Sequence, residues 1–396
     1  MFNKLKLVQP EVAKVLENSI KGDSFSNSSL FCGPKYSAKM TGAIEVAKAL
    51  SCFNDNKDDE CNCSSCNLYD SYLMQNLVII SNRDFDNRID VACERFVKNR
   101  DVFTKNFLIE TLRIFLLSYH NAIYLDKNSK LFDVAYQVSD LINEFSKNGE
   151  NYKIREAQSF VKDLKLKLKP LLAKSNKNLT NLSVDEVRAL QIWLSNTLVN
   201  EKVRVVIIEA IEKANESVKN SLLKILEEPN KNVYFILLSE SPSRIMQTIL
   251  SRVRRYNFSR IEEDKQKSLL EGFNLEDDKI DSLEKFFLSA SGYKASDVEI
   301  ALNSFVSSFV NRRYLNSEEL ASYINTLESS KQDEFILEQL IDKIQKEFIN
   351  NRIDSYTAKK IVQDISTLYN NQRVYNLPKK NMYENVYRKM MENINA

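Results

Sequence analysis

Two apolar runs constrain this chain more than any other feature. Val205-Val206-Ile207-Ile208, within a strand expected over 203–208, and Val233-Tyr234-Phe235-Ile236-Leu237-Leu238 carry no polar alternation. That is the pattern of strands buried on both faces. Between them Val218, Leu222, Ile225 and Leu226 share one face of a helix that begins at Asn215 and is stopped by Pro229. Strand, amphipathic helix, strand in this order implies a parallel sheet with helices packed on it. Leu30 and Phe31 end an earlier strand, Ala43, Ala47 and Leu50 follow at helical spacing, and Leu77-Val78-Ile79-Ile80 is another buried run. After Phe258 the strand signals stop. Leu283, Phe286, Phe287, Val298, Ile300 and Leu302 predict a small helical domain. Beyond about 310 come three helical faces: Leu337, Leu340, Ile341 and Ile344; Ile361, Ile365 and Leu368; Val386, Met390 and Ile394.

Composition removes several classes. In 396 residues, 43% are hydrophobic, enough for a sizeable core, and the net charge of +2 argues against an overall basic wrapper of nucleic acid. No run approaches the length of a membrane span, and Met1-Phe2-Asn3-Lys4-Leu5-Lys6-Leu7 lacks the apolar centre of a signal peptide. A cytoplasmic protein without membrane contact is expected. Residues 85–175 differ from their surroundings. Phe107, Leu108, Leu112, Phe115 and Leu116 mark one helix; Leu131, Val134, Val138, Leu141 and Phe145 mark another. The stretch from Val161 to Lys177 carries Lys162, Lys165, Lys167, Lys169 and Lys174, either a solvated face or a contact for nucleic acid or a partner. His120, the only histidine, reads as structural. Ser183-Val184-Asp185-Glu186 has the form of a capping box.

Two motifs concern nucleotide. Gly33-Pro34-Lys35-Tyr36-Ser37-Ala38-Lys39-Met40 lies between a strand and a helix, where a phosphate loop of pattern G-x-x-x-x-G-K-[ST] belongs. Gly33 and Lys39 remain. The second glycine is Ala38, and the hydroxyl that would hold Mg²⁺ is Met40, whose thioether is a poor ligand for a hard cation. Glu209 ends the 203–208 strand, where an acidic residue supports Mg²⁺, but Ala210 stands where a water-polarising Glu is needed. The scaffold survives and the reacting groups do not.

Asn220-Ser221-Leu222-Leu223-Lys224-Ile225-Leu226-Glu227-Glu228-Pro229, then Phe235-Ile236-Leu237-Leu238-Ser239, then Thr248-Ile249-Leu250-Ser251-Arg252-Val253, follow in order. These segments resemble the bacterial DNA polymerase III clamp-loader family, whose members carry N-A-L-L-K-x-L-E-E-P and T-I-x-S-R-C. The resemblance spans roughly residues 1–80 and 180–300. Within the family the damaged loop and missing Glu resemble the delta-prime subunit; gamma/tau keep both. The resemblance implies an AAA+ module over 1–260, an α/β fold of parallel sheet with flanking helices, interrupted by an insertion near 85–175. An all-α lid over 261–309 and an all-α collar over 310–396 would follow. It implies assembly with gamma/tau and delta subunits, action on a sliding clamp and primed DNA, no ATP hydrolysis by this chain itself, and an arginine finger, Arg252 next to Ser251, given to a neighbouring ATPase. Val253 replaces the family's Cys, and near Gly292, where active subunits carry an ATP-sensing Arg, Ser296-Asp297 is found. An active gamma/tau-type ATPase, and a thiol redox or zinc-dependent regulator outside replication, are the competing expectations.

Cys52, Cys61, Cys63 and Cys66 fall within fifteen residues. Without a secretion signal such a cluster reads as metal-binding, and four thiolates close a tetrahedral structural Zn²⁺ site. The family spaces the last three C-x2-C-x2-C, one residue more than here between Cys61 and Cys63. Free or redox-active thiols are the alternative. Cys32 and Cys93 read as ordinary buried cysteines.

Overall fold

The computed structural model describes residues 1–54, 61–81, 83–120, 122, 129–147, 152–175, 184–227, 230–275, 280–289, 295–330, 332–375 and 377–393. The chain divides into two compact units, Met1–Asn274 and Leu275–Ala396.

The first unit runs α1 (Asn3–Val8), α2 (Pro10–Lys21), β1 (Ser28–Cys32), α3 (Lys39–Ser51), α4 (Ser64–Asp70), β2 (Leu77–Ile80), α5 (Phe85–Asn99), α6 (Val102–Leu116), α7 (Ser129–Lys147) and α8 (Ile154–Ser175). It continues through α9 (Val184–Ser195), β3 (Arg204–Glu209), α10 (Glu216–Glu227), β4 (Val233–Ser239), α11 (Gln247–Leu250), β5 (Arg254–Asn257) and α12 (Glu263–Leu270). The strands form one sheet in the order β2-β3-β4-β1-β5, and every pairing is parallel. Ile207 lies opposite Ile236, and Leu30 opposite Leu237. Successive side chains on a strand point to opposite faces, and here both faces are covered. Phe31, Ile79, Val205, Ile207, Ile236 and Leu238 pack against Leu5, Leu16, Ala43 and Ala47. Leu30, Val78, Val206, Ile208 and Leu237 pack against Val187, Leu190, Val218 and Leu222 on the other side. This two-sided cover is why β2, β3 and β4 read as apolar runs, and it bears out the α/β parallel-sheet expectation.

One strand was not expected. β5 pairs only with β1, and Arg254, Arg255 and Asn257 are exposed while Tyr256 is buried. An edge strand needs only one buried face, and charged side chains on such an edge discourage pairing with other chains.

Among the described residues of 85–175, four helices, α5 to α8, share a core of their own. Phe85, Phe96, Leu108, Leu112, Phe115, Val138, Phe145, Leu164 and Leu168 meet there, and the Phe145 and Phe160 rings stack at 4.1 Å. His120 is structural: the Ala122 N–H donates to its Nδ1 at 3.0 Å, so Nε2 carries the proton and donates to the Gln75 carbonyl at 2.7 Å. Ser183 and Pro229, expected to open one helix and stop another, lie outside the described residues; Asn215, the expected start of α10, caps it by accepting the Val218 N–H at 2.8 Å.

The second unit is helical: α13 (Leu283–Leu288), α14 (Ala295–Val310), α15 (Ser317–Ser329), α16 (Asp333–Ile349), α17 (Ser355–Tyr375) and α18 (Lys379–Glu392). Leu302, Phe305, Ile324, Leu340, Ile344, Ile361, Ile365, Val386 and Met390 form one core. Ile300, expected on an apolar face, is 55% exposed. No helix among the described residues is long and apolar enough to cross a membrane.

Candidate functional site

The loop after β1 is set by a close approach of backbone. A Cβ on Gly33 would lie 2.3 Å from the Phe258 carbonyl oxygen. The Phe258 N–H donates to the Cys32 carbonyl at 2.6 Å, and the Gly33 N–H to the Ser239 carbonyl at 3.1 Å. Gly33 is therefore required by the packing of the segment after β5, whatever the loop binds. Ala38 holds the left-handed conformation, φ 64 and ψ 22, that a glycine adopts freely. The loop thus keeps its path and bears the strain of the added Cβ.

Lys39 opens α3 but does not reach outward. Its ammonium donates to the Gly33 carbonyl at 2.7 Å, the Pro34 carbonyl at 2.5 Å and the Ser37 hydroxyl at 3.2 Å, and the residue is buried. Burial lowers its pKa from the ordinary lysine value, with Glu240 and Glu209 opposing. Met40 is buried in the apolar core beneath α3, so its thioether serves packing.

Glu209 ends β3 and is held by Arg83. The Arg83 Nη2 donates to Oε1 at 2.6 Å and Nε to Oε2 at 3.2 Å, while the Ser81 hydroxyl donates to Oε2. Burial alone would raise the carboxyl's pKa; Arg83, Ser81 and the field of Arg88 outweigh it and hold Glu209 below the usual carboxylate range. Arg88 sits over the Tyr36 ring at 5.7 Å, and burial, with Arg83 beside it, brings its pKa down to about 10. The carboxylate that would support a cation already has a guanidinium on it. Ala210 follows in the left-handed region, φ 59 and ψ 46, and offers no polar group. Arg83 carried no signal in the sequence. It lies outside every motif and meets Glu209 only because β2 and β3 are neighbours, 126 positions apart in the chain.

Arg252 follows α11. Its Nη1 donates to the Thr248 carbonyl at 2.6 Å and its Nη2 to Glu227 at 2.6 Å, with side chains 33% and 46% exposed. Ser251 donates to the same Thr248 carbonyl at 3.0 Å. A local carboxylate therefore holds the guanidinium, on the last residue of α10. Ser296 donates to Asp297 at 3.2 Å at the start of α14; Gly292 lies outside the described residues.

The four cysteines come together. Cys52 follows α3, Cys63 caps α4 and accepts the Cys66 N–H at 3.5 Å, and all four Sγ atoms lie within 4.8 Å of one another. Burial opposes ionisation of Cys63, but the N–H groups of Cys66 and Phe53 and the neighbouring thiols bring it down to about 6; burial and the adjacent sulfurs push Cys52 and Cys66 up. A tetrahedral ion with Zn–S bonds near 2.3 Å needs sulfurs about 3.8 Å apart. Cys52 and Cys61 are already at 3.5 Å, so the group can hold a metal ion with small movements. Cys32 and Cys93 are buried elsewhere in the cores.

The sequence model of one protein family, described as "DNA polymerase III, delta subunit", matches residues 8–147 and 126–262. The delta-prime subunit of Haemophilus influenzae is 34% identical over 79 residues, 20% of this chain and 24% of that protein. The delta-prime subunit of Bacillus subtilis is 30% identical over 118 residues, covering 30% of this chain and 35% of the relative. The tau subunit of Bacillus subtilis is 35% identical over 82 residues, 21% of this chain and 15% of its own. The chain thus spans about a third or less of each of these relatives. A solved gamma subunit-related protein of Thermotoga maritima aligns at 18% identity with a TM-score of 0.30, covering 54% of this chain and 81% of its own. The match over 8–262 takes in the sheet, the Gly33 loop, the cysteine group and Arg252, more than half of the sequence, and on that ground the chain belongs to the DNA polymerase III delta subunit family of clamp-loader proteins.

Proposed function

We propose that this chain is a non-hydrolysing, delta-prime-type subunit of the bacterial DNA polymerase III clamp loader, working in the cytoplasm. In that role it assembles with gamma/tau and delta subunits and helps place the sliding clamp on primed DNA. The AAA+ module, residues 1–260, stands as a stator; a lid over 261–309 and a collar over 310–396 complete it.

The observation that carries the reading is the Arg83–Glu209 pair. Phosphoryl transfer depends on charge neutralisation and positioning around the transferred group. Here the strand-end carboxylate is engaged by a guanidinium at 2.6 Å, Lys39 is turned onto its own loop, Met40 lies in the core and Ala210 replaces the water-polarising group. Each needed group is absent or committed.

Arg252 is the residue proposed to act outside the chain. A guanidinium stays charged and its planar fork matches phosphate oxygens. Beside a neighbour's γ-phosphate such a group contributes roughly 10³–10⁵ in rate. Glu227 holds it until assembly. Cys52, Cys61, Cys63 and Cys66 would hold one Zn²⁺, whose thiolate bonds would fold the α3–α4 connection into a closed structural site without an open position for chemistry.

The test is ATP turnover by the isolated chain. No turnover above background is expected, with Lys39→Ala indistinguishable from the wild type. Turnover abolished by Lys39→Ala would replace this reading with an active gamma/tau-type ATPase.

A further inference from the structure

We infer that the outer face of α8, in the helical insertion, is a DNA-backbone contact. The helix carries six basic residues against two acidic ones, a balance of +4 where the whole chain has +2. Leu164, Leu168 and Leu171 are fully buried and seat one side of it on the insertion's core. On the opposite side Arg155, Lys162 and Lys169 are exposed. They recur every seven residues, which at 1.5 Å per residue is a row about 10.5 Å between charges and about 21 Å in all. None of the three has an ion pair among the described residues. Lys165, beside the row, is neutralised by Asp90 on α5.

A merely solvated helix face places opposite charges three and four residues apart, because like charges at that spacing destabilise the helix. α8 does not. The positions three and four away from Lys162 are Gln158, Ser159, Lys165 and Leu166; those from Lys169 are Lys165, Leu166, Leu172 and Ala173. Of its acids, Glu156 accepts the Lys153 N–H at 2.9 Å, and Asp163 lies about a quarter turn from the row. A protein partner would need aromatic or apolar anchors, and the row offers only Leu166, 64% exposed. Regularly spaced cations with polar neighbours fit a polyanion, and DNA as that polyanion rests on the clamp-loader reading above.

The experiment is fluorescence anisotropy of a labelled primed duplex with the full isolated chain between 50 and 200 mM KCl. Three phosphate contacts give a slope of log K against log salt near −2.7, about a 40-fold loss of affinity over that range. In R155E/K162E/K169E binding should fall at least about 10-fold and the slope should flatten by about 2 to 3. K14E/K231E/K359E, the same charge change at exposed sites elsewhere, should keep the wild-type slope. R155Q/K162Q/K169Q, checked by circular dichroism, answers the question if the reversal variant does not fold. An unchanged slope in a folded stripe variant, an equal loss in the control variant, or tighter binding to RNA duplex of the same sequence would overturn the inference. Pull-down with gamma/tau is scored separately: failure of the wild type to assemble counts against the clamp-loader reading and leaves the binding data on α8 intact.

Discussion

Removing the Arg83 side chain should expose what the Glu209 pair contributes. In Arg83→Met the Glu209 carboxylate would keep the Ser81 hydroxyl and lose the guanidinium at 2.6 and 3.2 Å. Breaking a buried pair from one side costs about 3–5 kcal/mol, because a charge is left without its partner. The two side chains here are 17% and 20% exposed, which lets water reach the carboxylate and brings the expected cost below that range, to about 2–3 kcal/mol. Removing both in Arg83→Met/Glu209→Met should restore most of it. The pH dependence should change sign. In the wild type the folded-state pKa of Glu209 lies below its unfolded value, so its stabilisation is present above the unfolded pKa and is lost as pH falls through the folded one. With Arg83 gone, burial dominates and raises the folded pKa; the group then destabilises at neutral pH and the deficit shrinks as pH falls. Urea unfolding of the wild type, Arg83→Met, Glu209→Met and the double variant at about pH 3, 5 and 8 is the assay, because the wild-type loss falls below the unfolded Glu pKa of about 4.3. A single-variant cost below about 1 kcal/mol, or a double variant equal to the sum of the singles, would refute the coupling.

Three further outcomes follow from the same geometry. Ala38→Gly should stabilise the fold by about 0.5–1 kcal/mol in chemical denaturation, because glycine takes the left-handed conformation without strain. Gly33→Ala should destabilise by about 2–4 kcal/mol, since its Cβ would fall 2.3 Å from the Phe258 oxygen and an overlap of that size forces the backbone apart; a neutral result would show that the loop is looser than this. Metal analysis should give about one Zn²⁺ per chain for the wild type and a large loss in Cys66→Ser, because a closed site needs all four thiolates; retention of zinc by the variant would sink the four-cysteine assignment.

How much was legible in the sequence depended on how local each determinant is. β2 to β4 were readable because strands buried on both faces show as apolar runs, and β1, which opens on Ser28 and Ser29, because Leu30 and Phe31 lead into the Gly33 loop. β5 was not, because at the sheet edge only Tyr256 of its four residues is buried. The cysteine group was readable because its members are close in sequence. The strand order was not, since it arises from crossovers whose ends carry no mark. Arg83 illustrates the cost of that gap: the residue that engages the strand-end carboxylate comes from the neighbouring strand's exit, and no motif connects them. Glu227 was part of the run that carried the family resemblance, yet its pairing with Arg252 emerged only when α10 and α11 were seen side by side, 25 positions apart. Ile300 fits helical spacing but faces solvent, because periodicity gives the width of an apolar stripe and not its centre.

The central claim, that a chain unable to hydrolyse ATP completes a neighbour's site, is tested most directly by ATP hydrolysis in a loader reconstituted from this chain, gamma/tau and delta, with clamp and primed DNA. Arg252→Ala should leave assembly intact and lower stimulated hydrolysis by roughly 10³-fold or more at the adjacent site, while Lys39→Ala leaves it unchanged. Hydrolysis and clamp loading unaffected by Arg252→Ala in an assembled loader would contradict the claim.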